Sequence, residues 1–151
     1  MNQELELSDK QNIIEGNANS TLPLVRRELK ETLNFVLESL EEAISGGGIT
    51  SLKRCQDLIH QSTSALKLID IPGAALLSEE MEAICSYIVG IDKESWPRLG
   101  AIEALKKAIL QLQIYIDSLK DEGDDSPLVL LPFLNDLRAA RNVNLLSEGT
   151  L

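Results

Sequence analysis

The chain has few aromatic residues and few positive charges. Of its 151 residues, two are Phe, two are Tyr and one is Trp, so any hydrophobic core has to be built from aliphatic side chains. The chain has 14 Lys and Arg residues and 24 Asp and Glu residues, which gives a formal net charge of −10. A field of that sign repels nucleic acid and anionic membrane surfaces, so neither is expected as a partner.

Membrane-spanning and targeting segments are also missing from the sequence. No apolar run reaches the 18 residues needed to cross a bilayer, and no signal peptide is recognisable at the start. We therefore expect a cytoplasmic protein with no membrane insertion. The two cysteines, Cys55 and Cys85, fall within helical patterns and are expected to be small reduced core residues rather than a disulfide.

The sequence offers no motif for a cofactor, a metal or a hydrolytic centre. The glycines at 46–48 lack the Lys and Ser/Thr that follow a phosphate-binding loop. The carboxylates Glu79, Glu80 and Glu82 come from a single helical segment and are expected to form a solvated face rather than a metal site. The acidic run 121–125 is expected to be a plain loop, and the hydroxyls at 62–64 have no Asp–His partners. No cofactor and no metal are therefore predicted.

Apolar residues spaced three or four apart predict four long amphipathic helices. The predicted spans are 22–44, 50–69, 72–89 and, after a connection over 90–97, a helix that reaches about residue 119. Thr50 or Ser51 is the expected N-cap of the second helix, and Pro72 suits the first turn of the third. The expected fold class is all-α: an antiparallel up-down four-helix bundle with a short extra C-terminal helix over 128–141.

The stripes also predict one core and a domain layout. Eight residues are expected to be buried together: Leu33, Val36, Ile59, Leu66, Met81, Ile84, Ile109 and Leu112. Residues 1–20 are expected to form a flexible lead-in and 21–141 the helical bundle. Residues 142–151 read as the start of a linker to further domains.

His60 is the only histidine of the chain, and it lies on the second predicted helix. It is rotated by about 100° from the inward-facing Ile59, so we expect it to be exposed. Lys53 and Lys67 lie two turns away on the same flank. A neutral imidazole is nucleophilic near pH 7 and can accept a phosphoryl group, but it can equally be an ordinary solvated side chain.

Three segments resemble one family of bacterial signalling proteins: LPLVRREL at 22–29, GAALLSEEME at 73–82 and LPFLNDLRAAR at 131–141. They are similar to the N-terminal histidine-phosphotransfer-like (Hpt-like) domain of the FimL and ChpA/PilL type IV pilus signalling proteins, over roughly residues 22–148. The resemblance implies a role in chemotaxis-like control of pili and twitching motility. In phosphotransfer domains the acceptor histidine is usually followed by Lys three residues later and Gly four residues later; here those positions hold Thr63 and Ser64.

Two functions are compatible with this resemblance. In the first, the chain is an interaction module that binds a signalling or polar scaffold protein through a helix face, without phosphate chemistry. In the second, His60 accepts a phosphoryl group from a kinase or a response-regulator receiver, with Lys53 and Lys67 assisting electrostatically. Thr63 and Ser64, in place of Lys and Gly, favour the first. A kinase catalytic centre is not predicted within these residues, although the parent protein could carry one.

Overall fold

The computed structural model describes residues 18–98, 100–119 and 125–151. The regular secondary structure among these residues is helical, with no strand. The α-helices are α1 (Ala18–Glu42), α2 (Gly48–Leu68), α3 (Pro72–Val89), α4 (Gly100–Ser118) and α5 (Pro127–Ala140). A π-helical turn over Ala43–Gly47 joins α1 to α2, and short 3₁₀ turns cover Lys93–Arg98 and Glu148–Thr150.

The helices bury the aliphatic stripes that the sequence predicted. All eight residues expected in the core are fully inaccessible to solvent and belong to a single cluster. The core prediction is therefore confirmed, and its aliphatic character follows from the scarcity of aromatic residues. Trp96 is an exception: it is buried in the turn between α3 and α4, where its indole Nε1 donates a hydrogen bond to the carbonyl of Ile91 at 3.0 Å.

The predicted cap of the second helix is wrong. Helix α2 begins at Gly48, so Thr50 and Ser51 lie inside its first turn, and no side chain caps it. No loop separates α1 from α2, because the π-helical turn over Ala43–Gly47 follows α1 directly. The direction changes at Gly46 and Gly48, whose φ angles of +141° and +62° suit a residue without a side chain.

Gly73 lies where the start of α3 meets the start of α5. Its N–H donates to Asp125 Oδ2 at 2.9 Å, so a carboxylate from a distant segment satisfies a free N–H of the α3 N-terminus. A Cβ at this position would come within 2.9 Å of that carboxylate and 3.1 Å of the Pro127 backbone. Asp125, expected in a plain acidic loop, thus fixes α5 to α3. Residues 121–124 of that loop lie outside the described residues. Pro72 occupies the first turn of α3, as predicted.

Helices α1 and α4 run in opposite directions. Lys30 Nζ on α1 lies 3.0 Å from Asp117 Oδ1 on α4. One turn later on α1, Asn34 Oδ1 accepts a hydrogen bond at 2.8 Å from Gln113 Nε2, which lies one turn earlier on α4. The two helices are therefore antiparallel.

A charge cluster between α3 and α5 contradicts one prediction. Glu80 is buried at 8% exposure, and its carboxylate accepts hydrogen bonds from Arg138 Nη1 at 2.6 Å and Arg141 Nη2 at 2.9 Å. The expectation of a solvated face is therefore wrong for Glu80. The reason is the fifth helix, which covers this side of α3 and supplies two guanidinium groups to a carboxylate that would otherwise be buried without a partner.

The residues after α5 return along that helix. Asn135 Nδ2 donates to the carbonyl of Leu146 at 3.0 Å, and its Oδ1 accepts the Leu146 N–H at 2.8 Å. Arg138 Nε donates to the carbonyl of Asn144 at 2.6 Å. At the other end of the chain, residues 18–20 of the predicted lead-in form the first turn of α1, and residues 1–17 lie outside the described part.

Both cysteines are free and buried, as expected for reduced core residues. The Cys55 Sγ lies 3.6 Å from the carbonyl of Val36 on α1. The pKa of the Cys85 thiol is raised well above its usual range, first by its hydrogen bond with the Cys55 thiol and then by burial. A raised pKa keeps the thiol protonated, and the thiolate is the reactive form. Cys85 is therefore suited to a structural role.

Candidate functional site

His60 projects from the outer side of α2 and contacts α3. Its side chain is 73% exposed, which confirms the predicted exposure, and its Nδ1 lies 2.6 Å from Glu82 Oε1. One turn before it, Gln56 Nε2 donates to Ser86 Oγ at 2.6 Å and to the carbonyl of Glu82 at 3.2 Å. Since 56 pairs with 86 and 60 with 82, α2 and α3 are antiparallel here.

The two helices form a shallow, open groove of about 470 Å³ around the imidazole. The residues that line it are Gln56, Asp57, His60, Glu79, Glu82, Ala83 and Ser86. Three of them carry carboxylates and none is Lys or Arg. The groove is therefore polar, and the carboxylates around the imidazole make it negatively charged.

Glu82 fixes the orientation of the imidazole. A carboxylate accepts a hydrogen bond only from a protonated ring nitrogen, so Nδ1 carries hydrogen in this arrangement. The other nitrogen, Nε2, is then the ring atom available to an incoming group. A carboxylate that holds one nitrogen in this way sets both the tautomer and the ring direction.

Neither lysine predicted to assist His60 lines the groove. Lys67 Nζ lies 2.6 Å from Glu79 Oε1, and the hydrogen bond to Glu79 is the main reason that the pKa of Lys67 is raised. The Lys67 ammonium group therefore forms an ion pair with Glu79, at the edge of the groove. Lys53 is exposed on α2, about two turns from His60.

Thr63 and Ser64, the two residues at which the sequence differs from the expected Lys and Gly, lie in different surroundings. Thr63 is buried, with its hydroxyl 2.6 Å from the hydroxyl of Ser78 on α3 and 3.0 Å from the carbonyl of Ile59. Ser64 is exposed, and its hydroxyl donates to the carbonyl of His60 at 3.1 Å. Thr63 therefore joins the interface between α2 and α3, whereas Ser64 stays on the outer face next to His60.

Sequence reasoning did not place the residues of α3 that complete the site beside His60. Glu79, Glu82 and Ser86 are spaced three and four apart and so lie on one side of the helix. The spacing is visible in the sequence, but it does not show which neighbouring helix this side of α3 faces. The pairing of His60 with Glu82 depends on the register of α2 against α3, which the pattern of either helix alone leaves open.

Within the described ranges, no group of three His, Cys, Asp or Glu residues is arranged to hold a metal ion. In the same ranges no helix is both long and apolar enough to cross a membrane.

Comparison with known proteins gives one informative match. No protein-family model matches the chain, and no solved structure matches it. Over 132 residues, or 86% of its length, the chain is 30% identical to the scaffold protein FimL of Pseudomonas aeruginosa. It spans only 23% of the length of that relative. The chain is thus similar to a segment, roughly a quarter in length, of a bacterial scaffold protein.

Proposed function

We propose that this chain is a protein-interaction module of a cytoplasmic, chemotaxis-like type IV pilus signalling system, and that it binds its partner without phosphate chemistry. The observation that carries the proposal is its similarity to the scaffold protein FimL along 86% of the chain. The binding face would be the groove around His60, where polar side chains on two packed helices present hydrogen-bonding groups in fixed positions.

We further propose that α1 to α4 form a degenerate Hpt-like bundle in the up-down order. Two observations support this arrangement: α1 runs antiparallel to α4, and α2 runs antiparallel to α3. Helix α5 would be an addition to the bundle, attached through the two arginines that bind Glu80. In this proposal the bundle offers its partner a binding shape, while Thr63 and Ser64 replace the Lys and Gly of an active phosphotransfer domain.

The charges around His60 favour binding over phosphotransfer. A phosphoryl group on the imidazole would bring close to two negative charges next to Glu82, and near Glu79 and Asp57. Like charges at such distances repel, and stabilisation requires nearby cations or N–H donors. Lys67 is bound to Glu79, one of the residues that line the groove.

One observation keeps phosphotransfer as the second candidate. Glu82 holds Nδ1 of His60 and leaves Nε2 of an exposed ring as the nucleophilic atom. In this alternative the partner would be a kinase or a response-regulator receiver, which would have to supply the missing positive charge.

A labelling experiment separates the two candidates. When the protein is incubated with phosphorylated receiver domains or autophosphorylating kinases of the same organism, we expect no acid-labile label on it. The matched control is His60→Gln, which removes the ring at an exposed position and so leaves folding intact. Label that appears promptly on the native protein and is absent from His60→Gln would establish phosphotransfer.

A charge reversal in the groove tests the binding role. Asp57 is exposed and lines the groove, so Asp57→Lys is expected to reduce pilus-dependent motility several-fold when introduced into the organism's own copy. Glu41→Lys makes the same charge change at an exposed position of α1 and is expected to behave like the native protein. Unchanged motility with Asp57→Lys, at native protein levels, would contradict the assignment of this groove.

A further inference from the structure

The outer side of α4 carries an apolar pair between two opposite charges. Helix α4 packs against α1, α3 and α5, and its exposed side bears Lys107, Leu110, Ile114 and, at the edge where it pairs with Lys30 of α1, Asp117. These residues are spaced three or four apart and fall within about 80° of the helix circumference. Leu110 and Ile114 are 48% and 60% exposed, although both are aliphatic residues one turn apart. We call these four residues the α4 face.

The α4 face is symmetric in chemistry about position 112. Leu110 and Ile114 lie two residues on either side of that position, and Lys107 and Asp117 lie five residues on either side. In an antiparallel pair of identical helices related by a two-fold axis at 112, Leu110 meets Ile114 of the other copy. In the same pairing Lys107 meets Asp117 of the other copy, at both ends. A surface that matches its own rotated image in this way is what an isologous dimer needs.

We propose that the α4 face binds a second copy of this chain, in an antiparallel α4–α4 contact. The proposal stands apart from the groove around His60 and does not depend on its function. Charge complementarity selects this occupant, since each copy supplies one cation and one anion at the required places. Lys107 makes no ion pair with any residue that the structure describes, and Asp117 keeps half of its side chain exposed beside Lys30.

The expected dimer is weak. A contact along a few turns of a single helix buries less than the roughly 1,200 Å² of total surface typical of stable complexes. The overall charge of −10 on each copy opposes association as well. The α4 face therefore suits a concentration-dependent contact, strengthened where copies are held close together.

Sedimentation of the protein over a concentration series tests this. From about 10 μM to about 1 mM the weight-average mass is expected to rise from one copy towards two. Ile114→Lys, which places a charge at the centre of the contact, is expected to raise the dissociation constant at least about tenfold. Far-ultraviolet circular dichroism of each variant checks that the exposed substitution leaves the helices intact.

Charge swapping fixes the geometry. Lys107→Glu and Asp117→Lys each place like charges opposite one another and are expected to weaken the dimer. The double variant restores opposite charges in exchanged places and is expected to recover it. The double variant has the native net charge, and all variants are compared at the same salt concentration. A double variant that dimerises more tightly than both single variants would show that the paired charges matter, and not only the overall repulsion between copies. A monomer at all concentrations, a dimer indifferent to Ile114→Lys, or a double variant no better than its singles would each overturn the proposal.

Discussion

Replacing Ile109 by aspartate is expected to unfold the protein. Ile109 is completely inaccessible in the core and lies on the buried stripe of α4. The substitution removes a large aliphatic side chain and leaves a carboxylate with no partner in an apolar environment. We expect the free energy of unfolding to fall by about 4–5 kcal/mol or more, which is comparable to the whole stability of many domains of this size.

The matched control for this substitution is Ile114→Asp, five residues further along the same helix. The chemical change is identical, but Ile114 is 60% exposed, so the new carboxylate stays in water. Its cost is expected to be below about 1 kcal/mol. Urea unfolding followed by circular dichroism at low micromolar concentration gives both values. A native-like transition for Ile109→Asp would mean that the register of α4 is wrong.

The helices and the core follow from the sequence because both depend on local spacing. The stripe Ile102, Leu105, Ile109, Leu112 and Ile116 fixes the inner side of α4 without reference to any other helix, and all five residues are buried. The same reasoning placed His60 outside, since it follows the inward-facing Ile59 by one residue. What local spacing cannot give is the partner of an outward-facing side chain.

Apart from the N-cap of α2, what the sequence did not reveal concerns contacts between helices. Glu80 looked like part of a solvated face, because nothing in its own helix reveals that Arg138 and Arg141 lie against it 58 and 61 residues later. Thr63 aligned with a lysine that would flank the histidine, yet its hydroxyl is used against Ser78 in the interface with α3. In both cases the register of two packed helices decided the environment.

The same register argument predicts the effect of removing the charge of Glu80. Glu80→Gln keeps the shape of the side chain but leaves two guanidinium groups without a counter-charge. The side chains of Glu80, Arg138 and Arg141 are only 10%, 20% and 23% exposed, so water replaces the lost interaction poorly. Breaking a buried ion pair on one side costs about 3–5 kcal/mol. We expect about 2–3 kcal/mol here because of the remaining exposure.

The loss of stability should be concentrated in α5, since Glu80 binds Arg138 and Arg141 to the bundle. Arg138 in turn holds the carbonyl of Asn144. Hydrogen exchange over 127–140 is expected to accelerate more than exchange in α1, because α5 can open without unfolding the core. Lys30→Met is the control: it breaks an ion pair whose side chains are 43% and 50% exposed, and should cost less than about 1 kcal/mol. Equal exchange and equal stability in Glu80→Gln and Lys30→Met would show that α5 is held by its apolar side alone, through Leu130, Leu134 and Leu137.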